Sequence, residues 1–252
     1  MTQNDFRADV ETGVPVDWSS YAQQYDLMAE NNPAYQELLL HCVQTVSDWG
    51  LQPGDTLADF AAGTGNISLA IAAALPEIMV LHVELNEGMI AFAQAKAAAA
   101  GLRNWQVLRL DLTQPDWPIP ELAGAVTVHA LYALPQPKKV IDQICARLRP
   151  GGRVYAADFG RTMDVRAWSV FLLRAALKRH GLVKTISLFA RSGIVRRENR
   201  RITACQKSGQ FWLHEMPEFR AAFEACGMEI TFASDKYYRG CDDVILARAS
   251  RP

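Results

Sequence analysis

Two acids and a small-residue turn are the groups best placed to do chemistry. The stretch Leu57-Ala58-Asp59-Phe60-Ala61-Ala62-Gly63-Thr64-Gly65-Asn66 is an apolar run that ends in an Asp, breaks into small residues and restarts as an Ala-rich helix. Glu84 follows 21 residues after Gly63, closing a second apolar run, Ile78-Met79-Val80-Leu81-His82-Val83. Such a pair of strands with an intervening tight turn builds a nucleotide pocket. Small residues let backbone approach a ligand, and the acid that ends the second strand can grip two ribose hydroxyls.

The elements that must hold these groups alternate. Strands are expected at 56–60, 78–84, 105–110, 125–130 and 152–158, and helices at 65–75, 87–100 and 136–148. That alternation predicts a parallel sheet covered on both faces, with every β-to-α loop at one edge, where ligands bind. Upstream, residues 1–16 read as a polar lead, and 18–50 read as two helices. Trp18, Tyr21, Tyr25 and Met28 recur at helical spacing, then Leu38, Leu39, Cys42, Val43 and Val46, with Pro33 suited to a first helical turn. Downstream, 216–226 reads as a helix. Met228 to Ala233 and Val244 to Ala247 read as strands of an antiparallel hairpin joined by a polar link containing Arg239-Gly240. The resulting division is a helical lid at 1–50 and a core at 51–252, with a basic cap inserted at about 161–215.

Composition narrows the classes. The 252 residues are half apolar, carry a net charge of −1 and suit one large α/β domain or a domain plus cap. No apolar run approaches the roughly 20 residues that span a bilayer. The N-terminus, with Asp5, Asp9 and Glu11, lacks the basic start and apolar middle of a signal peptide, so a cytoplasmic protein is expected. The cysteines, Cys42, Cys145, Cys205, Cys226 and Cys241, are odd in number and contain no Cys-x-x-Cys pair. They read as reduced, mostly buried thiols, and no metal site is expected.

The ordered set resembles the class I S-adenosylmethionine-dependent methyltransferases from about Tyr21 to Ala249, weakly through 161–210. The family's first motif, Asp/Glu-x-Gly-x-Gly-x-Gly, here reads Asp59-Phe60-Ala61-Ala62-Gly63-Thr64-Gly65. Val83-Glu84-Leu85-Asn86-Glu87-Gly88-Met89 is close to its acid-x-Ser-x-x-Met form. Leu110-Asp111-Leu112 stands where the family places an Asp beside the adenine amino group. Val126 to Leu134 corresponds to the strand end under the methionine part of the cofactor, and Leu148-Arg149-Pro150-Gly151-Gly152 to a turn common before the fifth strand. The resemblance implies a Rossmann-like seven-stranded sheet, mostly parallel with a C-terminal antiparallel hairpin. It implies S-adenosyl-L-methionine as cofactor, held by Tyr25, Asp59, Ala61, Gly63, Gly65, Glu84, Leu85, Met89, Asp111 and Leu112. Asp59 and Asp111 have the plainer alternative of capping a turn or helix. A dinucleotide enzyme is the nearest rival, but its Gly-x-Gly-x-x-Gly would need a glycine where Ser68 stands. Ala61 departs from the motif by replacing its first glycine. If glycine there only gives clearance, alanine costs little; if the position needs positive φ, alanine is strained. Clearance is the preferred reading, because Ala62 also keeps the turn small.

Methyl transfer from a sulfonium is an in-line displacement in which the protein mainly aligns a nucleophile, a contribution of roughly 7–11 kcal/mol. A base is needed only for a nucleophile with a tightly held proton. His129, at the end of the fourth strand, is the first candidate; a structural histidine is its alternative. His214 could face a substrate or cap the following helix, while His41, His82 and His180 read as structural or exposed. Tyr21-Ala22-Gln23-Gln24-Tyr25-Asp26 resembles the Tyr-x-x-x-Tyr-Asp lid helix of small-molecule methyltransferases. Tyr21, Tyr25, Phe60 and Tyr132 could surround the sulfonium, each cation–π contact worth about 0.5–2 kcal/mol; a core stripe at helical spacing is the alternative. Asn31 and Asn32 could donate to a substrate or cap a helix. Tyr21, His129 and Tyr132 are thus the expected catalytic residues. No Asn-Pro-Pro-Tyr sequence points to base or glutamine methylation.

Residues 161–201 hold eleven Lys or Arg against Asp164 and Glu198. This basic segment would attract an anionic small-molecule substrate, hold an acidic carrier, or be a solvated face neutralised within the chain or across a homodimer. Nucleic acid and membrane are not expected partners. Methyl transfer to a small molecule is the leading expectation. The alternative is an enzyme of the same fold that cyclises the cofactor to azetidine-2-carboxylate and methylthioadenosine. A non-enzymatic scaffold using the basic face is the third.

Overall fold

The structure, a computed structural model, describes residues 16–250. The polar lead at 1–16 therefore lies almost wholly outside the described residues.

Seven strands form one sheet: β1 (Thr56–Phe60), β2 (Met79–Glu84), β3 (Trp105–Arg109), β4 (Leu122–Val128), β5 (Leu148–Phe159), β6 (Met228–Lys236) and β7 (Asp242–Ala249), in the order β3-β2-β1-β4-β5-β7-β6. Neighbours from β3 through β5 pair in parallel, and β7 runs antiparallel to both β5 and β6. The expected sheet and its C-terminal hairpin are present.

The hairpin strands run longer than expected, β6 to Lys236 and β7 from Asp242 to Ala249, and two further boundaries differ for local reasons. The fourth strand starts at Leu122 and stops at Val128, because the small residues Ala123, Gly124 and Ala125 pack into the sheet before the apolar run begins. The Arg149-Pro150-Gly151-Gly152 turn lies inside β5 as an irregularity. Leu148 pairs with Leu122 and Arg153 with Gly124, so the extra residues are absorbed between them, with Gly151 at φ +78°.

The helices are α1 (Trp18–Asn31), α2 (Pro33–Ser47), α3 (Asn66–Ala74), α4 (Glu87–Ala99), α5 (Pro137–Ala146), α6 (Val165–Arg191), α7 (Gly193–Lys207) and α8 (Met216–Glu224). Their apolar faces cover both sides of the sheet. One side buries Ala58 and Phe60 against Ile141 and Ile144 of α5 and Phe219 and Phe223 of α8. The other buries Leu57, Val80 and Val126 against Leu38, Cys42 and Val46 of α2 and Ile71 of α3. Residues 18–47 thus divide in role. Helix α2 packs on the sheet, and α1 lies over its carboxyl edge, joined there by α6, α7 and the β6–β7 link through Tyr21, Trp168, Ile202 and Tyr238. Helix α6 is interrupted at Gly181, which stands at φ +72° and ψ 177°. No helix among the described residues is long and apolar enough to cross a membrane.

Candidate functional site

The strand order reverses between β1 and β4, which opens a crevice at their carboxyl ends. Both strands leave the sheet there through a residue in the left-handed region, Ala61 at φ +50° and His129 at φ +53°. The clearance reading of Ala61 is therefore corrected. The turn does demand positive φ, and alanine bears a strain of about 1–2 kcal/mol that glycine would not. Gly63 and Gly65 follow at φ +57° and +85°. At Gly65 a side chain is excluded twice over, since an added Cβ would lie 3.0 Å from Ala93 Cβ on α4. Three left-handed residues within five positions curl the chain so tightly that α3 starts directly under the crevice, its N-terminal N–H groups facing it.

Glu84 fastens this turn. Its Oε2 accepts from Gly63 N at 2.9 Å, and its Oε1 accepts from Leu85 N and Asn86 N at 2.9 and 2.8 Å. Asn86 in turn caps α4 by accepting from Met89 N at 3.0 Å. The cap drives Met89 inward, while Leu85 remains exposed at the mouth. At the end of β3, Asp111 adopts the turn-cap role, accepting from Thr113 N and Thr113 Oγ1 at 2.9 and 2.7 Å. Those bonds hold its carboxyl below the usual range, and Leu112 beside it is buried.

Asp59 is sealed beneath the turn at 2 % exposure, and its Oδ2 has no partner. Burial pushes its pKa up to about 8, against the opposing hydrogen bond from Ser68 N. His82 lies in the paired position of β2, bonded through Nδ1 to Ser68 Oγ at 2.9 Å. Burial holds its pKa down to about 4, so it stays neutral.

Helix α1 closes over the turn through Asp26, which the sequence reading quoted but gave no role. Asp26 accepts from Thr64 Oγ1 at 2.6 Å and Asn66 Nδ2 at 3.0 Å, and pairs with Lys96 of α4 at 2.8 Å. The aromatic groups gather beside it. Tyr21 meets Tyr25 edge-on at 5.3 Å between centroids, and Tyr25 meets Tyr35 at 6.3 Å. Tyr21 also donates to Asn199 Oδ1 of α7 at 2.8 Å, tying α1 to α7. Tyr132 sits in a short turn whose N–H donates to Asp158 Oδ2 at 2.9 Å, with its ring edge-on to Phe159. Burial raises all four phenols, so each is a neutral hydrogen-bond donor. Phe60 does not join them. Side chains alternate along β1, and its ring faces the α5/α8 side against Trp117.

His129 stacks on Phe159 at 4.5 Å and holds Asp242 Oδ2 at 2.6 Å through Nε2. Burial opposes its charge, but Asp242 outweighs burial and raises its pKa. His214 faces neither the crevice nor a helix end. It is buried on the far side, bonded to Asp243 Oδ2 at 3.1 Å and stacked on Phe219. Asn32 caps α2 and donates to Tyr238 OH at 2.9 Å, and Asn31 donates to Leu27 O. Tyr35, Asn199, Tyr238 and Asp242 were absent from the sequence reading. Tyr35, three residues after Asn32, carried a signal in its spacing from Tyr25; the others carried none. Among the described residues no cluster of three or more His, Cys, Asp or Glu could hold a metal.

Residues 57–152 match a family model described as a methyltransferase domain. The demethylmenaquinone methyltransferase of Symbiobacterium thermophilum is 30% identical over 135 residues, 52% of this chain and 53% of that protein. A ubiquinone/menaquinone biosynthesis C-methyltransferase of Burkholderia cenocepacia is 25% identical over 58% of this chain and 59% of its own length. The chain thus spans about half the length of these curated relatives. Among solved structures, the magnesium protoporphyrin IX methyltransferase of Synechocystis PCC 6803 with bound SAH superposes with a TM-score of 0.61 at 15% identity, covering 92% of this chain and 98% of that one. At that identity the likeness speaks for the fold.

Proposed function

We propose that this chain is a class I S-adenosylmethionine-dependent methyltransferase that transfers a methyl group to a small organic acceptor bearing an ionisable hydroxyl or carbon acid. The observation that carries the reading is Asp59, a sealed carboxylate with an unpartnered oxygen beneath a glycine turn. A cationic amino-acid end is the ligand group that satisfies such an oxygen, and it would draw the proton off the carboxyl. The donor set fits S-adenosyl-L-methionine. Glu84 would take the ribose diol, Asp111 and Leu112 would hold the base, Gly63 and Gly65 would give backbone access, and Leu85 and Met89 would line the approach. When bound, the cofactor supplies an electrophilic methyl group.

The chain's own residues do the rest. Tyr21, Tyr25, Tyr35 and Tyr132 present neutral, electron-rich rings to a cation and exclude water. Asp242 accepts His129 Nε2–H, which leaves the Nδ1 lone pair free to take an acceptor's proton. Asp242 steadies the imidazolium so formed. The quinone-directed relatives support a ring-bearing acceptor.

Calorimetric titration with S-adenosylhomocysteine tests the pocket, and no heat at high micromolar ligand would sink the reading. Product analysis then identifies the reaction. S-adenosylhomocysteine formed only with an acceptor present is expected. Methylthioadenosine formed from cofactor alone would replace methyl transfer with cyclisation.

A further inference from the structure

The outward face of α6 is unlike the rest of the surface. Eleven large apolar side chains stand exposed among the described residues, and seven of them are on this one helix. Val170, Leu173 and Leu177 follow one another at i, i+3 and i+7, forming a single ridge. Beyond the break at Gly181, Leu182, Val183 and Ile186 are exposed as well, with Val183 81% exposed. Arg166, Arg174 and Lys178 accompany the ridge at spacings of eight and four residues, all exposed. Val165–Arg191 contains four Arg, two Lys and no acid.

This face cannot turn inward, because the opposite face is already committed. Trp168 packs on Tyr238 at 4.6 Å between centroids, and Arg239 covers Phe171 at 4.2 Å. The α6 ridge is thus an exposed aliphatic strip edged by uncompensated cations, on a chain whose net charge is −1.

We propose that this face docks onto an anionic phospholipid bilayer, lying in the interface without spanning it. Aliphatic side chains enter the acyl boundary while flanking Arg and Lys meet the phosphates, which is how amphipathic basic helices bind such surfaces. A second copy of the chain would press two cationic faces together. Single-stranded nucleic acid would need aromatic platforms, and Trp168 is buried on the inner side. An acidic protein would answer the cations but not a strip of exposed Val, Leu and Ile. The proposal is independent of what the crevice binds.

Flotation of the full chain with vesicles is the test, comparing pure phosphatidylcholine with vesicles carrying about 30% phosphatidylglycerol. Binding to the anionic vesicles is expected to be about tenfold tighter or more, and to weaken as salt rises. The combined variant Leu173→Ser, Leu177→Ser and Val183→Ser leaves the charge intact and should lose most of the binding. Arg174→Glu with Lys178→Glu should lose it too. Both variants should titrate S-adenosylhomocysteine as the parent chain does, which reports on folding. No binding to either vesicle, equal binding to both, or a triple-Ser variant that binds like the parent chain would overturn the proposal. So would a dimer that dissociates in the triple-Ser variant, since the ridge would then be its interface.

Discussion

Ala61 and His129 form a matched pair: each stands in the left-handed region, and each is the exit from one of the two adjacent strands, β1 and β4, between which the sheet reverses its order. Non-glycine residues adopt this conformation at a cost, and they persist where surrounding structure forces them. At Ala61 the force is the turn under Glu84. At His129 it is the hydrogen bond from its own N–H to Ala157 O at 2.9 Å together with the grip of Asp242. The crevice is therefore bounded on both sides by strained backbone.

Ala61→Gly should stabilise the protein, opposite to the usual sign of an Ala-to-Gly change. Relief of about 1–2 kcal/mol at φ +50° exceeds the chain entropy that glycine adds, roughly 0.4–1 kcal/mol. Denaturant unfolding should show a net gain of about 0.5–1 kcal/mol with an unchanged m-value. A loss of stability would mean that the turn is relaxed with alanine in place.

How much of this could be read in the chain depends on where the partners come from. Asp59, Gly63, Gly65 and Glu84 are legible because each ends or follows a strand of one β-α-β unit, and local spacing fixes their geometry. Asp242 and Tyr238 are not. They reach His129 and Asn32 across 113 and 206 residues, delivered by a hairpin whose register a sequence does not print. Tyr238 was hidden inside a link that reads as polar, yet it is buried under Trp168. Phe60 shows the opposite failure: its type and position suggest the aromatic group, but the two-residue period of β1 turns it to the other face. Ala61 failed for a third reason. Residue size is visible in a sequence, whereas the sign of φ follows from the whole turn.

Asp59→Asn should couple stability to pH in a way that exposes the cost of the pocket. The folded pKa of Asp59 is raised to about 8 from 3.8, so the folded state holds a proton that the unfolded state releases. The sealed carboxyl therefore costs little at pH 4 and progressively more as pH rises toward 8, because the unfolded chain gains by ionising while the folded state holds its proton. Asn keeps the shape without the charge. Melting the two proteins at pH 4 and pH 9 should show near equality at the first. At the second, the variant should be more stable by roughly 2–5 kcal/mol. The variant should also lose affinity for S-adenosylhomocysteine. For the parent chain, binding at pH 7 should release protons, visible as a dependence of the calorimetric heat on buffer ionisation enthalpy. Equal melting curves at pH 9 would show that Asp59 is solvated.

If His129 is the base proposed above, it and Asp242 should set the pH limb of catalysis. Asp242 raises the His129 pKa above its usual 6.5, so the base form should fill, and the rate should rise, as pH climbs through that raised value. Asp242→Asn removes the charge and should shift the limb to lower pH while reducing kcat about tenfold or more through loss of positioning. His129→Ala should abolish the limb and cost about a hundredfold or more in kcat with little change in cofactor affinity. A profile of kcat against pH that is identical in Asp242→Asn and the parent chain would remove His129 from the chemistry.

Asp26 and Thr64 should be energetically coupled, because a short bond across the lid holds the cofactor turn in place. Thr64 Oγ1 donates to Asp26 Oδ1 at 2.6 Å, and Asp26 also neutralises Lys96. Removing Asp26 strands the buried Thr64 hydroxyl, at about 1–3 kcal/mol, whereas removing Thr64 leaves Asp26 held by Asn66 and Lys96 and should cost less. The double variant leaves only Lys96 and Asn66 to rearrange, so the single costs should overshoot the double by about 1 kcal/mol. The same cycle run on S-adenosylhomocysteine affinity separates fold from function. If Asp26 positions the turn for its ligand, Asp26→Ala and Thr64→Ala should each weaken binding several-fold, and the double variant should add little further. Strict additivity in both measurements would make the contact incidental, and α1 would then be a cover with no hold on the turn beneath it.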